Sequence, residues 1–310
     1  MPVTNTLPDF SQGAAYVRGR YVPIGEAAIP ITDWGFLRSD ATYDVVTVWD
    51  GAFFRLDAHL ERFFASCARF RLDPGLSGQG ITQVLAQCVR LAGLRSAYVE
   101  MVVTRGQPPW GSRDPRLAVN QFYAFAVPYV WIANAEQRAR GLDLVVSSVQ
   151  RIPASSVDPR AKNYHWNDLT MGLLGALDAG GDTVVLTDGA GNVVEGPGFN
   201  VFCVNAQGVL VTPAQGVLEG ITRRTVLEMA QAAGLPLQVR ALPAAELRAA
   251  REVFLSSSAG GVLPVTRVDG QPVGDGAVGP VTQRMVQTYW DWHQDPRHRL
   301  ALEDVAPPGG

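Results

Sequence analysis

Apolar and polar positions along the chain change period several times, and each change marks an element. AAYVRGRYVPI reads as a β-hairpin, and TYDVVTVWDGAFFRL sets Asp50-Gly51 between two strand-like runs, a strong turn signal. The period then lengthens. Leu60, Phe63, Phe64 and Cys67 recur at helical spacing in DAHLERFFASCARFRL, for which Asp57 is the expected N-cap, and ITQVLAQCVRLAGL is a second helix ending near Gly93. AYVEMVVTRG and QFYAFAVPYVWI are rich in β-branched and aromatic residues, and are expected to pair as strands across the loop from Gly106 to Pro115.

Within PYVWIANAEQRARG strand-like apolar text gives way to polar text, which places a domain junction there. The expected division is a small α+β domain over residues 1–128, a linker over 129–137 and a larger domain over 138–310. The second part alternates short strands (LDLVVSSVQ, DTVVLTD, FNVFCVN, LPLQVRA, EVFLSSS) with helices near Asp168 to Leu177, Thr222 to Ala233 and Val281 to His293. It reads as a strand-rich α/β barrel or sandwich. The tail EDVAPPGG is expected to be disordered.

Composition narrows the classes. A chain of 310 residues, 47% hydrophobic, is long enough for two cores, and a net charge of −3 provides no basic field for nucleic acid or an anionic membrane. A small-molecule partner is expected instead. Cys67, Cys88 and Cys203 are odd in number and lie in apolar runs, so they read as buried thiols of a reducing compartment. The four histidines show no metal-ligand spacing, and no metal is expected. MPVTNTLPDFSQG lacks a basic stretch followed by an apolar one, so a cytoplasmic location is the expectation.

One residue stands apart. Lys162, in SSVDPRAKNYHWND, is the single lysine among the 26 lysine and arginine residues. A last lysine can persist on a surface by chance, but some chemistry needs a primary amine, because a guanidinium stays protonated at any reachable pH. The bulky, weakly charged surroundings of Ala161, Asn163, Tyr164 and Trp166 are unlike a solvated face. If Lys162 forms a Schiff base with an aldehyde cofactor, a phosphate cradle and a partner for a ring nitrogen are needed elsewhere. Gly220-Ile221-Thr222 opens an amphipathic helix whose first N–H groups can bind an anion; read alone, Thr222 simply caps that helix. Glu195, at a strand end before a glycine-rich bend, can hold a pyridine nitrogen protonated.

In this order and company, the motifs ITDWGFLRSDATYDVVTVWDGAFFRLDAHLERF, VDPRAKNYHWNDL, LTDGAGNVVEGPGFNVF, GVLEGITRRTVLE and SSSAGGVLPVTRVDGQPV resemble the class IV, fold-type IV pyridoxal phosphate aminotransferases, and within them the (R)-selective amine transaminases. The resemblance implies an α+β, two-domain fold with a small N-terminal α/β domain and a larger barrel-like one, and a homodimer. It implies pyridoxal 5'-phosphate held by Lys162 as Schiff-base lysine and proton shuttle, by Glu195 at the pyridine nitrogen, and by Arg62 as a phosphate ligand. Leu218 would lie against the ring, with Ile221, Thr222 and Ser258 completing the phosphate site. Tyr43, Val45, Tyr98, Glu100, Arg113, Trp166 and Ala259 match substrate-pocket positions. Arg38 stands where the family pattern has histidine, bringing a permanent charge to the expected entrance, and serine replaces threonine at Ser258.

The implied reaction moves an amino group from an (R)-amine or D-alanine to a keto acid such as pyruvate. Lys162 must be neutral to take the substrate proton, a state that burial and neighbouring cations favour. Tyr43 and Val45 alternate on one expected strand and Tyr98 and Glu100 on another, so each pair faces one side of its strand; periodicity alone speaks first for an ordinary core, and the resemblance for opposite walls of one pocket. A fold does not fix its substrate, and a D-amino acid or branched-chain aminotransferase or an aminodeoxychorismate-type lyase remains open. A non-enzymatic scaffold would have had no reason to keep the one lysine.

Overall fold

The structure is a computed structural model that describes residues 8–308, and the chain forms two compact units. The opening residues 1–7 and the last two glycines of the tail lie outside the described residues. The first unit holds β1 (Ala14–Val17), β2 (Arg20–Pro23), α1 (Trp34–Arg38), β3 (Ala41–Trp49), β4 (Ala52–Phe54), α2 (Leu56–Phe70), α3 (Gly78–Leu91), β5 (Ala97–Gln107) and β6 (Val119–Pro128). The second holds α4 (Ala135–Arg140), β7 (Leu142–Gln150), α5 (Asn167–Asp178), β8 (Thr183–Thr187), β9 (Asn192–Val193), β10 (Glu195–Gly196), β11 (Phe199–Val204), β12 (Leu210–Pro213), α6 (Ile221–Ala232), β13 (Leu237–Arg240), β14 (Leu242–Pro243), α7 (Ala244–Arg248), β15 (Glu252–Ser257), β16 (Gly261–Val268), β17 (Gln271–Pro272) and α8 (Pro280–Trp292). No described helix is long and apolar enough to cross a membrane.

The first unit is built on a seven-stranded antiparallel sheet in the order β18-β4-β3-β5-β6-β1-β2, where β18 is Arg299–Ala301. Strand alternation sorts its side chains. Val46, Val48, Val99, Met101, Val103, Ala124 and Ala126 point to one face and are covered by Phe63, Cys67, Ile81, Leu85 and Val89 of α2 and α3. The opposite face carries Tyr43, Val45, Tyr98 and Glu100. Asp50 and Gly51 both take positive φ, 46° and 77°, as the tight turn between β3 and β4 requires.

The second unit contains an eleven-stranded mixed sheet along the path β13-β12-β11-β15-β16-β7-β8-β9-β14. The sheet is nearly closed and barrel-like, filled by Leu144, Val185, Val201, Cys203, Leu255 and Leu263. β7 runs parallel to both β8 and β16, with α5 crossing between β7 and β8, while α6 and α8 cover β15 and β16.

Three expectations need correction. The second core does not take an unbroken stretch of chain: Ala161–Tyr164 and Pro296–Gly310 group with the first unit. The cause is backbone pairing, Asn163 with Thr42 and β18 with β4. Asp57 lies within the first turn of α2; the N-cap is Arg55, left-handed at φ 53°, whose N–H donates to the His298 carbonyl at 2.7 Å. The tail is ordered as far as it is described, because Val305 is buried and Arg90 donates to the carbonyls of Leu302 and Val305.

The β5–β6 pairing carries an irregularity between Thr104 and Gln107, and Gly106 sits in it at φ +70°. A Cβ there would come within 1.8 Å of the Val119 carbonyl oxygen. Gly106→Ala combines a disfavoured φ with a backbone clash and should cost at least about 2 kcal/mol, lowering the melting temperature by roughly 4–8 °C. Differential scanning calorimetry of the variant checks this; an unchanged transition would mean that the strand edge yields freely.

Candidate active site

Lys162 is fastened by its backbone to the first unit. Its carbonyl accepts from Thr42 Oγ1 at 2.6 Å and from Tyr43 N at 3.3 Å, and its N–H donates to Ser66 Oγ of α2 at 3.2 Å. The half-buried side chain places Nζ 4.3 Å from the centre of the Tyr43 ring, which stacks on Tyr164 at 4.2 Å and 16°. The hydroxyls of Tyr164 and Tyr98 then donate to the two oxygens of Glu100, at 2.6 and 3.0 Å. Burial pushes the Glu100 carboxyl up against the opposing pull of these phenols and of the Lys162 charge.

Beside this cluster lies a second acid. Asp44 is fully buried on β3 and accepts Arg62 Nε and Nη2, His59 Nδ1 and Val45 N, each at 2.8 Å. Burial alone would raise its carboxyl, but the Arg62 charge and the hydrogen bonds from Arg62 and His59 outweigh that and hold it well below the usual carboxylate range. Arg62 is therefore not a solvated helix residue: a bidentate pair fixes the plane of its guanidinium.

Tyr43 and Val45 on β3 adjoin Tyr98 and Glu100 on β5, with Val45 directly across from Glu100 and Thr47 from Tyr98. Because the strands are neighbours, the four side chains form one continuous surface, not two opposed walls. Arg113 is exposed in the β5–β6 loop. Arg38, at the end of α1, lies exposed with its guanidinium 3.5 Å above the Trp34 ring.

The second unit carries the other candidates. Glu195 is 7% exposed on β10, its Oε1 3.2 Å from Arg151 Nε and its Oε2 accepting from Leu218 N at 2.8 Å. Arg151 also grips Asp168, at 2.7 Å. α6 begins at Ile221 with Gly220 as N-cap and no side-chain cap, so Thr222 lies inside the first turn and does not cap it. A Cβ at 220 would fall 2.2 Å from Asn200 Oδ1, so a larger residue there would displace the Asn200 side chain, whose Nδ2 holds the Leu218 carbonyl at 2.9 Å. Ser257 donates to the Gly198 carbonyl, and Ser256 Oγ is buried without a hydrogen-bond partner among the described residues. Ser258 and Trp166 are half-buried, and Ala259 is buried. Trp166 packs on the cluster of Leu169, Val184 and Val194.

In the first unit a lone primary amine set over an aromatic ring suits an aldehyde; in the second, taken by itself, a buried carboxylate braced by a guanidinium, a helix start that no side chain caps and a buried hydroxyl with no partner among the described residues suit a pyridine nitrogen and a phosphate. Asp44, His59, Ser66, Tyr164, Arg151, Asp168 and Asn200 were not singled out from the sequence. The signal available for Asp44 was an acid inside the apolar run TYDVVTVW, where a charge needs a partner.

The family model for class IV aminotransferases (Amino-transferase class IV) matches residues 41–268. The branched-chain-amino-acid aminotransferase of Pseudomonas aeruginosa is 32% identical over 77% of this chain and 78% of its own length. The D-alanine aminotransferase of Bacillus licheniformis is 30% identical over 87% of this chain and 93% of its own. Among solved structures, the branched-chain amino acid aminotransferase of Thermoproteus uzoniensis with norvaline superposes with a TM-score of 0.84, at 27% identity over 94% of this chain and 99% of that one. A branched-chain amino acid aminotransferase solved with pyridoxamine 5'-phosphate superposes with a TM-score of 0.87, at 26% identity over 95% of this chain and 100% of that one.

Burial holds His59 neutral, lowering its pKa from the ordinary 6.5 despite the pull of Asp44. The unfolded chain therefore binds more protons than the folded one as pH falls below 6.5, and stability declines with it. His293, lowered by burial to about 4, acts in the same sense in the second unit. The melting temperature should fall between pH 7.5 and 5, and fall less in His59→Gln; equal slopes for variant and parent would exclude His59 as a contributor.

Proposed function

The chain belongs to the class IV aminotransferases, whose cofactor is pyridoxal 5'-phosphate, and from that premise we propose that it transfers an amino group from an (R)-configured primary amine, or from D-alanine, to a keto acid such as pyruvate. The observation that carries this reading is the surface around Glu100. On the sheet face of Tyr43, Val45, Thr47, Tyr98, Glu100, Val102, Tyr123 and Phe125 the carboxyl is that of Glu100, and the cation beside it is Lys162, the amine that the cofactor would occupy. A substrate carboxylate placed there meets an acid and two phenols already committed to it, whereas an apolar amine substituent meets Tyr43, Val45 and Phe125. The (R) hand rests on the motifs shared with (R)-selective amine transaminases and agrees with a D-alanine aminotransferase among the relatives.

When bound, the cofactor supplies an electron sink for the substrate carbon. The roles proposed for the chain's own residues follow from their chemistry. Lys162 Nζ would hold the cofactor aldehyde and, when neutral, would take up and return the substrate proton. Glu195 keeps the ring nitrogen protonated. The N–H groups of Ile221 and Thr222 and the Ser258 hydroxyl would bind the phosphate, a role the resemblance also gives to Arg62, and Leu218 would lie against the ring. Trp166, Ala259 and Arg38 border the substrate. Arg113 in its exposed loop grips the carboxylate of a keto acid and swings away for an amine that has none.

A branched-chain aminotransferase is the second reading, favoured by the names of several relatives. The exposed Ile31, Phe36 and Leu37 suit a homodimer contact, and three buried free thiols suit the cytoplasm.

Borohydride reduction of the holoenzyme should fix cofactor to the Lys162 peptide and to no other internal peptide, and Lys162→Arg should be inactive, since a guanidinium cannot exchange imines. Label missing from that peptide sinks the assignment. A panel of enantiopure amines and D- and L-amino acids against pyruvate tests the substrate class; preference for (S)-amines or L-leucine would hand the chain to the second reading. In that panel Arg113→Ala should raise the KM for pyruvate and D-alanine about 10- to 100-fold, the worth of a charge-assisted pair, and leave the half-reaction with (R)-1-phenylethylamine nearly unchanged. Equal losses would make Arg113 structural.

A further inference from the structure

Glu195 is one end of a row of three buried charges. Arg151, whose N–H donates to the Thr187 carbonyl at 2.9 Å, presents Nε to Glu195 Oε1 at 3.2 Å and Nη1 to both oxygens of Asp168 at 2.9 and 2.7 Å. Nη1 also reaches the His165 carbonyl at 3.3 Å. Asp168 is fixed from its other side by the N–H groups of Ile152 and Leu169, each at 2.8 Å. All three side chains are about nine-tenths buried, with exposures of 10%, 10% and 9% for Arg151, Asp168 and Glu195.

Signs and distances together define what the row does. An isolated arginine beside Glu195 would neutralise it and leave little reason for a proton to stay on a nitrogen that the glutamate faces. Here the shorter, two-oxygen contact commits the guanidinium to Asp168, and Glu195 receives the longer one. The row as a whole carries one negative charge in a buried setting, which favours the arrival of one more cation. Building on the reading that Glu195 partners the cofactor's ring nitrogen, we infer that Asp168, acting through Arg151, sets how firmly Glu195 holds the proton on that nitrogen. Both are positioning residues: Arg151 orients the carboxylate, and Asp168 takes up the charge that would otherwise cancel it.

The test uses holoenzyme rebuilt with cofactor labelled with 15N in the ring, whose nitrogen chemical shift reports protonation across the alkaline range in which the fold persists. The parent nitrogen should stay protonated throughout. In Asp168→Asn the proton should be lost within that range, at least about one pH unit earlier. The double variant Arg151→Gln/Asp168→Asn, which removes both charges, should recover most of that shift, an outcome that a purely structural role for the pair does not produce. Overturning results are an Asp168→Asn titration identical to the parent, or a double variant that titrates with the single one. If melting curves show that Asp168→Asn does not fold, Arg151→Gln alone decides, since Glu195 relieved of its cation should hold the proton at least as long as in the parent and an earlier loss overturns the inference. Glu195→Gln separates the two levels: a nitrogen still protonated there rejects the role of Glu195 itself, whereas a lost proton with an unaffected Asp168→Asn rejects only the row.

Discussion

The carbonyl of Lys162 accepts two hydrogen bonds from β3, and its N–H is held by Ser66 of α2. Everything the lysine does depends on this clamp. A long amine side chain loses up to about 2 kcal/mol of rotamer freedom when it is held in one place, and a mobile backbone would add to that cost. Fastening residues 161–164 to a central, fully buried strand removes the backbone share before any ligand arrives. It also explains why four residues leave the unit that their chain neighbours on either side belong to. The departure is the device that sets the amine over the Tyr43 ring.

Three acids are buried, two in the first unit and one in the second, and each meets the cost of burial in a different way. Asp44 is matched by a bidentate guanidinium and an imidazole, which keeps it ionised and turns it into a mount for Arg62. Glu100 has only phenol donors, so burial prevails and its carboxyl is pushed up. Glu195 has a guanidinium, but one shared with Asp168. One residue class is thus kept ionised, pushed up or left sharing a cation, with the partner deciding which.

Legibility in the sequence followed the range of the interactions. Hairpins, helices and the β5–β6 pair were readable because period and turn residues are local, and Lys162 was readable because chemistry leaves no substitute for an amine. The N-cap of α2 was misread because a tertiary bond from Arg55 to His298 sets where the helix starts, so Asp57 in the first turn looked like the cap. The tail was misread because Pro-Pro-Gly-Gly speaks for disorder while Val305, a few residues before, is buried. The mounts of the site, Asp44 with His59 and Arg151 with Asp168, pair residues 15 to 18 positions apart that come together only in the fold.

Relatives named for branched-chain amino acids and for D-alanine share this family. A fold that serves both names must keep its cofactor chemistry apart from its substrate choice. The residues here divide along that line. Lys162, Glu195, Arg62 and the start of α6 are fixed by buried backbone contacts, charged pairs or close packing of a glycine against Asn200. Tyr43, Val45, Tyr98 and Glu100 lie on a regular sheet face, where any side chain of suitable size can be exchanged without disturbing the strand hydrogen bonds. Arg113 and Arg38 lie outside it, on an exposed loop and a short helix that constrain a side chain still less. Side chains on that sheet face can therefore be exchanged while the backbone contacts of Lys162 and the charged pairs of Arg62 and Glu195 stay intact, so that a change of side chain there need not reach them.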